Sequence, residues 1–218
     1  WVIGETLITG IGQGYTQTTP LQLCLMTAQL ANGGFKIYPK IVVEKNSKKI
    51  EDIRVMMNEN RKQLNKVNKG LQEATELLSF LNKKEYKPLF KNAKNINLVQ
   101  EAMFASTNEV RGTSYASRID NPKYQFAGKT GTSQVKRITK AERELELKTF
   151  EIPYNERDHA LYIAFGPYKN PRYALSIVIE HGGSGSSAAA PMAKKLFKLI
   201  IDRHELREQT RIQQNIKT

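Results

Sequence analysis

The residues of this chain that are best suited to chemistry form one short motif, Lys129-Thr130-Gly131-Thr132. The motif combines a cation, two hydroxyls and a glycine, and the apolar, aromatic run before it is typical of a strand. A strand that presents an ammonium group, hydroxyls and backbone N–H groups suits a substrate with a carboxylate and a carbonyl under attack. Gly131 lacks a β-carbon, so a ligand can approach the backbone closely there.

The motif also permits two interpretations other than a catalytic one. Gly128-Lys129-Thr130 matches the end of a phosphate-binding P-loop, but that motif requires a glycine where Lys123 stands and a helix directly afterwards. Neither condition is met. An ordinary solvent-facing strand with a lysine and some threonines is the second alternative, and the motif by itself does not decide against it.

The bulk composition limits the class of protein. The 218 residues, of which 39% are hydrophobic and 25% are charged, suffice for one sizeable core and a small appendage. No apolar run approaches the roughly 20 residues that a membrane-spanning helix needs. Because the first residues carry no targeting pattern, we expect any targeting or anchoring segment to lie upstream.

The composition also bears on metals and on anionic partners. Cys24 is the single cysteine, and His159, His181 and His204 have no spacing typical of metal ligands. The net charge of +13 permits an anionic partner, but the basic stretch from 36 to 94 has few aromatic side chains to stack on bases. We therefore expect no metal, no cofactor and no nucleic acid, and favour a basic surface that faces anionic lipid or cell-wall polymer.

The elements that must position the motif follow from capping residues and apolar spacing. Thr19–Gln22 predicts a helix start with a capping box, and Asn32–Gly34 predicts the end of that helix. Lys36–Glu44 is predicted to be a strand, at a sheet edge because of Pro39. Residues from about 46 to 94 are polar and charged, and we expect short helices in a surface-exposed insertion.

Farther along the chain, apolar spacing predicts a helix from Ile96 to Val110. The apolar runs Ala160–Phe165 and Tyr173–Ile179 predict a hairpin in a sheet that helices cover on both faces. Gly182–Ser187 then opens a last core helix, and the charged residues after Asp202 are expected to fray. The predicted core positions of the two helices are Ile96, Val99 and Met103, and Ala189, Met192, Ala193, Leu196, Phe197 and Ile200.

Short sequence blocks occur in a fixed order along the chain. They are Gly4–Thr6, Gly12–Tyr15, Thr19–Leu23, Lys129–Thr132, Arg157–Ala160, Asn170–Ala174 and Glu180–Gly183. Together they resemble the transpeptidase domain of the class B penicillin-binding proteins, and within that family the penicillin-binding protein 2 branch. The resemblance covers most of the chain apart from residues 46–94. It implies an α/β fold of the penicillin-binding protein and serine β-lactamase type, with an antiparallel sheet of five strands between helical layers.

The resemblance implies a domain organisation, an activity and a location. Residues 1–204 are expected to be the C-terminal part of a transpeptidase domain, without its nucleophile-bearing part, and residues 205–218 a charged tail. The family activity is peptidoglycan D,D-transpeptidation, in which stem peptides are cross-linked through a serine acyl-enzyme that β-lactams also form. Expected partners are stem peptides, β-lactams, the upstream part of the polypeptide and a membrane glycosyltransferase of the elongation machinery. The expected location is the periplasmic face of the bacterial inner membrane, with the anchor upstream.

The same resemblance implies roles for the motif. Lys129 would line the cleft, attract the carboxylate of a stem peptide or β-lactam, and help proton transfer near the nucleophile. The hydroxyls of Thr130 and Thr132 would bind that carboxylate, beside Gly131. The backbone N–H of Thr132 would be one of two oxyanion-hole donors.

The family also requires a Ser-x-x-Lys nucleophile motif and a Ser-x-Asn motif. Ser133 and Lys136 have the first spacing, but a strand directs residues three apart to opposite faces. Ser106 and Asn108 have the second spacing, but they lie in a predicted helix only about 20 residues before the Lys-Thr-Gly motif. We interpret both as coincidences. The nucleophilic serine and its lysine are therefore expected outside this chain, which alone should not acylate.

Two other functions are weighed against transpeptidation. A β-lactam sensor or a serine β-lactamase relative shares the fold and the Lys-Thr-Gly strand, although Gly12–Tyr15 and Thr19–Leu23 look like the cell-wall synthesis branch. A basic, non-catalytic module that binds nucleic acid or another anionic polymer is the remaining alternative.

Overall fold

The computed structural model describes residues 2–39, 88–136, 139–140, 144–145 and 147–216. Within these ranges the chain forms a three-stranded antiparallel sheet and helices that pack against it. The helices are α1 (Ile3–Gly10), α2 (Pro20–Ala31), α3 (Ala93–Asn108) and α4 (Ala190–Ile216), and the strands are β1 (Ala127–Ser133), β2 (His159–Gly166) and β3 (Tyr173–Ile179).

The sheet has the strand order β1-β2-β3, so β1 lies at one edge. Lys129 of β1 is opposite Ile163 of β2, and Ala164 of β2 is opposite Leu175 of β3. The predicted hairpin is confirmed, and a short turn at 167–172 joins its strands. Three antiparallel strands are present in the described part of the chain, whereas the resemblance implies five.

Helices cover both faces of the sheet, as predicted. On one face, Ala193 and Phe197 of α4 pack with Phe126 and with Tyr162 of β2. On the other face, α2 and α3 pack against Ala127 and Phe165. A strand that is buried on both faces reads as a continuous apolar run, which explains the composition of β2.

Helix α2 begins and ends where the sequence predicts. The Thr19 hydroxyl accepts a hydrogen bond from the Gln22 N–H at 3.2 Å, and the Gln22 side chain accepts one from the Thr19 N–H at 2.8 Å, which completes the capping box. At the other end, the Asn32 side-chain oxygen accepts hydrogen bonds from the N–H groups of Gly34 and Phe35.

The predicted core face of α3 is partly wrong. Ile96 and Met103 are buried, but Val99 is 40% exposed. Gln100 is buried in its place, because its side-chain amide donates a hydrogen bond to the Leu30 carbonyl near the end of α2. A satisfied amide can occupy a core position that apolar spacing alone assigns to a hydrophobic residue.

Helix α4 also differs from its prediction. Met192 is exposed, whereas Ala190 and Ile201 join Ala193 and Phe197 in the core. The charged residues after Asp202, expected to fray, continue α4 through Ile216, so the predicted tail at 205–218 begins inside a helix.

Ion pairs with the segment before β1 support this continuation. Lys123 Nζ lies 3.3 Å from an Asp202 carboxylate oxygen and 2.7 Å from one of Glu205. The Tyr124 hydroxyl donates to Asp202 at 2.5 Å. This hydrogen bond, with the charge of Lys123, lowers the pKa of the Asp202 carboxyl, and hydrogen bonds to Glu205 and Tyr124 raise the pKa of Lys123.

The strand predicted at Lys36–Glu44 is not found where it can be checked. Residues 36–39 form no strand, and Phe35 makes an isolated bridge with Pro88. Residues 40–87, which include the rest of that strand and most of the insertion predicted at 46–94, lie outside the described residues.

Candidate functional site

The Lys-Thr-Gly-Thr motif lies on β1, in the second half of the strand. The prediction that these residues form a strand is confirmed. Phe126 and Ala127 have no solvent exposure, whereas the side chains of Lys129 and Thr132 are exposed. The same strand is therefore buried where it begins and open where the motif lies.

The buried half of β1 is fixed by Tyr162, which reaches across from β2. A β-carbon at Gly128 would lie 2.3 Å from the Tyr162 hydroxyl, so only glycine leaves room for this ring. The hydroxyl lies 2.9 Å from the Thr107 hydroxyl and 3.0 Å from that of Ser114. Burial raises the pKa of the Tyr162 phenol, which therefore stays neutral at physiological pH.

The outer edge of β1 shows which backbone groups point away from the sheet. The Asn108 side-chain amide donates to the Phe126 carbonyl at 2.9 Å, and Lys129 Nζ donates to the Thr130 carbonyl at 2.8 Å. In an antiparallel strand the N–H and C=O of one residue point to the same side, and the side alternates along the chain. The N–H of Thr132 therefore points outward as well, toward the open edge.

A line of hydroxyls leads from α3 to the motif. Lys129 Nζ lies 3.4 Å from the Thr130 hydroxyl, which lies 3.3 Å from that of Thr113, and this in turn lies 3.2 Å from that of Ser106. Sequence reasoning missed Thr113, because its position depends on how the turn after α3 folds. The available signal was a glycine followed by two hydroxyl residues, Gly112-Thr113-Ser114, directly after a predicted helix.

The turn that carries Thr113 is tightly packed against α3. A β-carbon at Gly112 would lie 2.3 Å from the Ser106 carbonyl oxygen. The same carbonyl accepts hydrogen bonds from the N–H and the hydroxyl of Ser114, each at 3.0 Å. The positions on both sides of Thr113 are thus fixed by contacts with the end of the helix.

The Ser-x-Asn spacing at Ser106 and the Ser-x-x-Lys spacing at Ser133, both interpreted above as coincidences, include residues with structural contacts. The Asn108 amide donates to the carbonyls of Phe104 and Phe126, and so ties α3 to the start of β1. Ser133 ends β1, paired with His159. Lys136 forms an ion pair with Glu156.

Sequence blocks that lie far apart along the chain meet at the end of β1. The Gln13 side-chain amide lies 3.4 Å from that of Gln134. Next to Ser133, the N–H of His181 donates to His159 Nδ1 at 2.9 Å, and the N–H of Gly183 donates to the Asp158 carbonyl at 2.8 Å. The blocks Gly12–Tyr15, Arg157–Ala160 and Glu180–Gly183 therefore surround the same end of the strand that carries the motif.

Two properties of the described residues bear on cofactors and membranes. Within the ranges described, no three histidine, cysteine, aspartate or glutamate side chains are grouped so that they could hold a metal ion. No helix in those ranges is both long and apolar enough to cross a membrane.

Comparison with known proteins decides the family. A sequence model of the penicillin binding protein transpeptidase domain matches residues 1–198. The chain belongs to this family. It is 31% identical over 209 residues to the peptidoglycan D,D-transpeptidase MrdA of Salmonella typhimurium, an alignment that covers 93% of this chain and 28% of the relative. The MrdA of Haemophilus influenzae is 29% identical over 202 residues, with 93% and 26% covered.

Solved structures of the family confirm the predicted fold class. Pseudomonas aeruginosa PBP2 in complex with WCK 5153 matches with a TM-score of 0.53 and 30% identity, over 89% of this chain and 32% of that one. Helicobacter pylori PBP2 in complex with MreC matches with a TM-score of 0.58 and 27% identity, over 91% and 28%. The chain thus spans less than a third of the length of these relatives.

Proposed function

We propose that this chain supplies the Lys-Thr-Gly side of a peptidoglycan D,D-transpeptidase site. In that reaction a serine attacks a stem-peptide carbonyl, the amine of the broken peptide bond leaves, and the amine of a second stem peptide takes the acyl group. β-Lactams acylate the same serine. The observation that carries the proposal is the open edge of β1, where an ammonium, two hydroxyls and an outward N–H stand beside a buried half-strand.

The side chains of the motif are suited to a substrate carboxylate. The Lys129 ammonium has the Thr130 carbonyl as a partner in this structure, and a bound carboxylate would offer it a stronger, charge-assisted one. Thr130 and Thr132 are two residues apart on one strand, so their hydroxyls point to the same face. Gly131 between them presents no β-carbon to a ligand.

The backbone of Thr132 is suited to the carbonyl that is attacked. Its outward N–H would donate to the oxygen that becomes negatively charged in the tetrahedral intermediate. Removal of one such donor in acyl-transfer enzymes slows the reaction by about 100- to 1,000-fold. A second donor and the nucleophile must come from other residues.

We assign the nucleophilic serine to a segment outside these 218 residues. The relatives are more than three times as long as the part that this chain matches. Within the chain, Asn108 of one serine-containing motif binds backbone carbonyls. Lys136 of the other motif binds Glu156.

The location and partners are part of the same proposal. We place the full-length protein at the periplasmic face of the inner membrane, with a membrane glycosyltransferase of the elongation machinery as partner. The Helicobacter pylori PBP2 structure contains MreC, and we propose a partner of that kind for this protein too. Copurification of either partner with the full-length protein is the measurement that supports this assignment, and its absence under mild extraction contradicts it.

Labelling with a fluorescent penicillin tests the proposed activity. We expect the full-length protein to be labelled rapidly, and Lys129→Ala to slow labelling by about 100-fold or more, because the carboxylate loses its cation. Lys169→Ala, which changes an exposed lysine in the turn between β2 and β3, should label as the wild type does.

Three outcomes count against the proposal. Unchanged labelling of Lys129→Ala would contradict the proposed binding of the carboxylate by the motif. Labelling of the 218-residue chain alone, at Ser133 or Ser106, would overturn the assignment of the nucleophile. Fast release of the penicilloyl group, with turnover of penicillin, would favour the β-lactamase alternative.

A further inference from the structure

We propose that Thr113 is a positioning residue that directs the Thr130 hydroxyl toward the substrate carboxylate, with Ser106 in support. This inference rests on the proposed transpeptidase function. It is carried by the unbroken line of hydroxyl contacts from Ser106 through Thr113 and Thr130 to Lys129, with distances of 3.2, 3.3 and 3.4 Å.

One of these hydrogen bonds has a fixed direction, and the other two can run either way along the line of hydroxyls. A lysine ammonium has three donors and no acceptor, so the Thr130 oxygen must accept from Lys129. A threonine hydroxyl has two lone pairs and a single hydrogen. When Thr113 donates to the second lone pair of the Thr130 oxygen, neither Lys129 nor Thr113 accepts the Thr130 hydrogen. It is then available for the carboxylate.

Ser106 completes the line by supplying a donor to Thr113. With the Ser106 hydrogen on the Thr113 oxygen, the hydrogen of Thr113 turns toward Thr130. Without the Thr113 hydroxyl, the Thr130 hydrogen gains freedom to rotate away, and the carboxylate has to reorient it on binding. Such reorientation reduces the benefit of a site whose donors are already fixed.

The turn places Thr113 rigidly although its side chain is exposed. Gly112 packs against the Ser106 carbonyl, and Ser114 is buried with its hydroxyl 3.0 Å from that of Tyr162. The Thr113 side chain itself is exposed, beside the exposed half of β1. It is therefore accessible to solvent where it contacts the Thr130 hydroxyl of β1.

The test compares a penicillin that carries its free carboxylate with the methyl ester of the same penicillin. In the full-length protein we expect Thr113→Val to lower the second-order acylation rate for the carboxylate by about five- to tenfold. The rate for the ester should change by less than about twofold, since the ester has no negative charge to orient. Thr113→Ser should restore the carboxylate rate, and Ser106→Ala should lower it by about two- to threefold.

Thr107→Val is the matched control, because it makes the same change on α3 in a hydroxyl that contacts Tyr162 instead of Thr130. It should lower thermal stability and leave the carboxylate-to-ester ratio unchanged. An unchanged ratio in Thr113→Val, an equal loss for the ester, or no rescue by serine would overturn the inference while the proposed function stands. A wild-type protein that is not acylated at all would overturn both.

Discussion

The two halves of strand β1 differ in almost every physical respect. The first half, Ala127–Gly128, is buried between helical layers together with Phe126 directly before it, and the Phe126 carbonyl is bound by a side chain of α3. The second half, Lys129–Thr132, is exposed or half-buried, and its outer edge pairs with no other strand in the described part of the chain. A covered half-strand can fix the position of an open one, because the two share a rigid backbone. The difference indicates where substitutions should act on stability and where on reactivity.

The largest loss of stability is expected from Phe126→Ala, at the residue directly before the covered half of β1. Phe126 is fully buried and stacks on Phe197 at 4.9 Å between ring centroids. Truncation of such a ring leaves a cavity and should lower the free energy of unfolding by about 3–5 kcal/mol. Phe150→Ala, at a ring that is 71% exposed, should cost less than about 1 kcal/mol. Urea unfolding of the chain measures both free energies. Similar losses in the two variants would contradict the burial of Phe126 in the core.

A smaller effect is expected from alanine at the two glycines of β1. Gly128→Ala forces a methyl group against the buried Tyr162 ring, 2.3 Å from its hydroxyl, and should lower stability by about 2–3 kcal/mol. At Gly131 the nearest contact of a β-carbon is Leu161 Cβ at 3.3 Å, so Gly131→Ala should cost less than about 1 kcal/mol. If Gly131→Ala is the more destabilising of the two, the second half of β1 is packed more tightly than the first, contrary to the structure.

The smallest effect is expected from Tyr162→Phe, which removes a hydroxyl beneath β1. Loss of its hydrogen bonds to Thr107 and Ser114 should lower stability by about 1–2 kcal/mol near neutral pH. The pKa of this phenol is raised in the folded state. Its contribution is therefore complete below the unfolded value of about 10, and declines as pH rises from there toward the folded value.

The stability difference between wild type and Tyr162→Phe should accordingly be constant from pH 7 to about 9 and decrease above about pH 10. Urea unfolding across that range measures it. A difference that grows with pH above 10 would mean that the buried phenolate is favoured, contrary to the desolvation argument.

Local signals in the sequence were sufficient for strands β1, β2 and β3 and for the start of α2, but not at Lys36–Glu44, whose first four residues form no strand. The apolar run before Lys129 identified β1, and the capping box at Thr19 depends on residues only three apart. One predicted core position of α3, Val99, was wrong for a non-local reason. Val99 satisfies the apolar spacing of α3, but Gln100 is buried because the Leu30 carbonyl, 70 positions away, accepts its amide hydrogen bond.

The candidate site divides in the same way. Lys129 and Thr132 were predicted as site residues from their types and order in one motif. Thr113 could not be, because its contact with Thr130 depends on a turn held by Gly112 and Ser114. The continuation of α4 was likewise missed, since the partner that holds Asp202 is Lys123, 79 positions earlier.

The contacts that hold the edge of β1 to α3 are close in sequence. The bond from Asn108 to Phe126 joins residues 18 positions apart, and that between Thr113 and Thr130 joins residues 17 apart, whereas Tyr162 reaches Thr107 from 55 positions away. Loop-closure entropy rises with the logarithm of loop length, so the shorter loops cost about 1 kcal/mol less chain entropy to close. The contacts at the edge proposed to bind the substrate therefore form with a smaller loss of conformational entropy of the unfolded chain than the contact made by Tyr162.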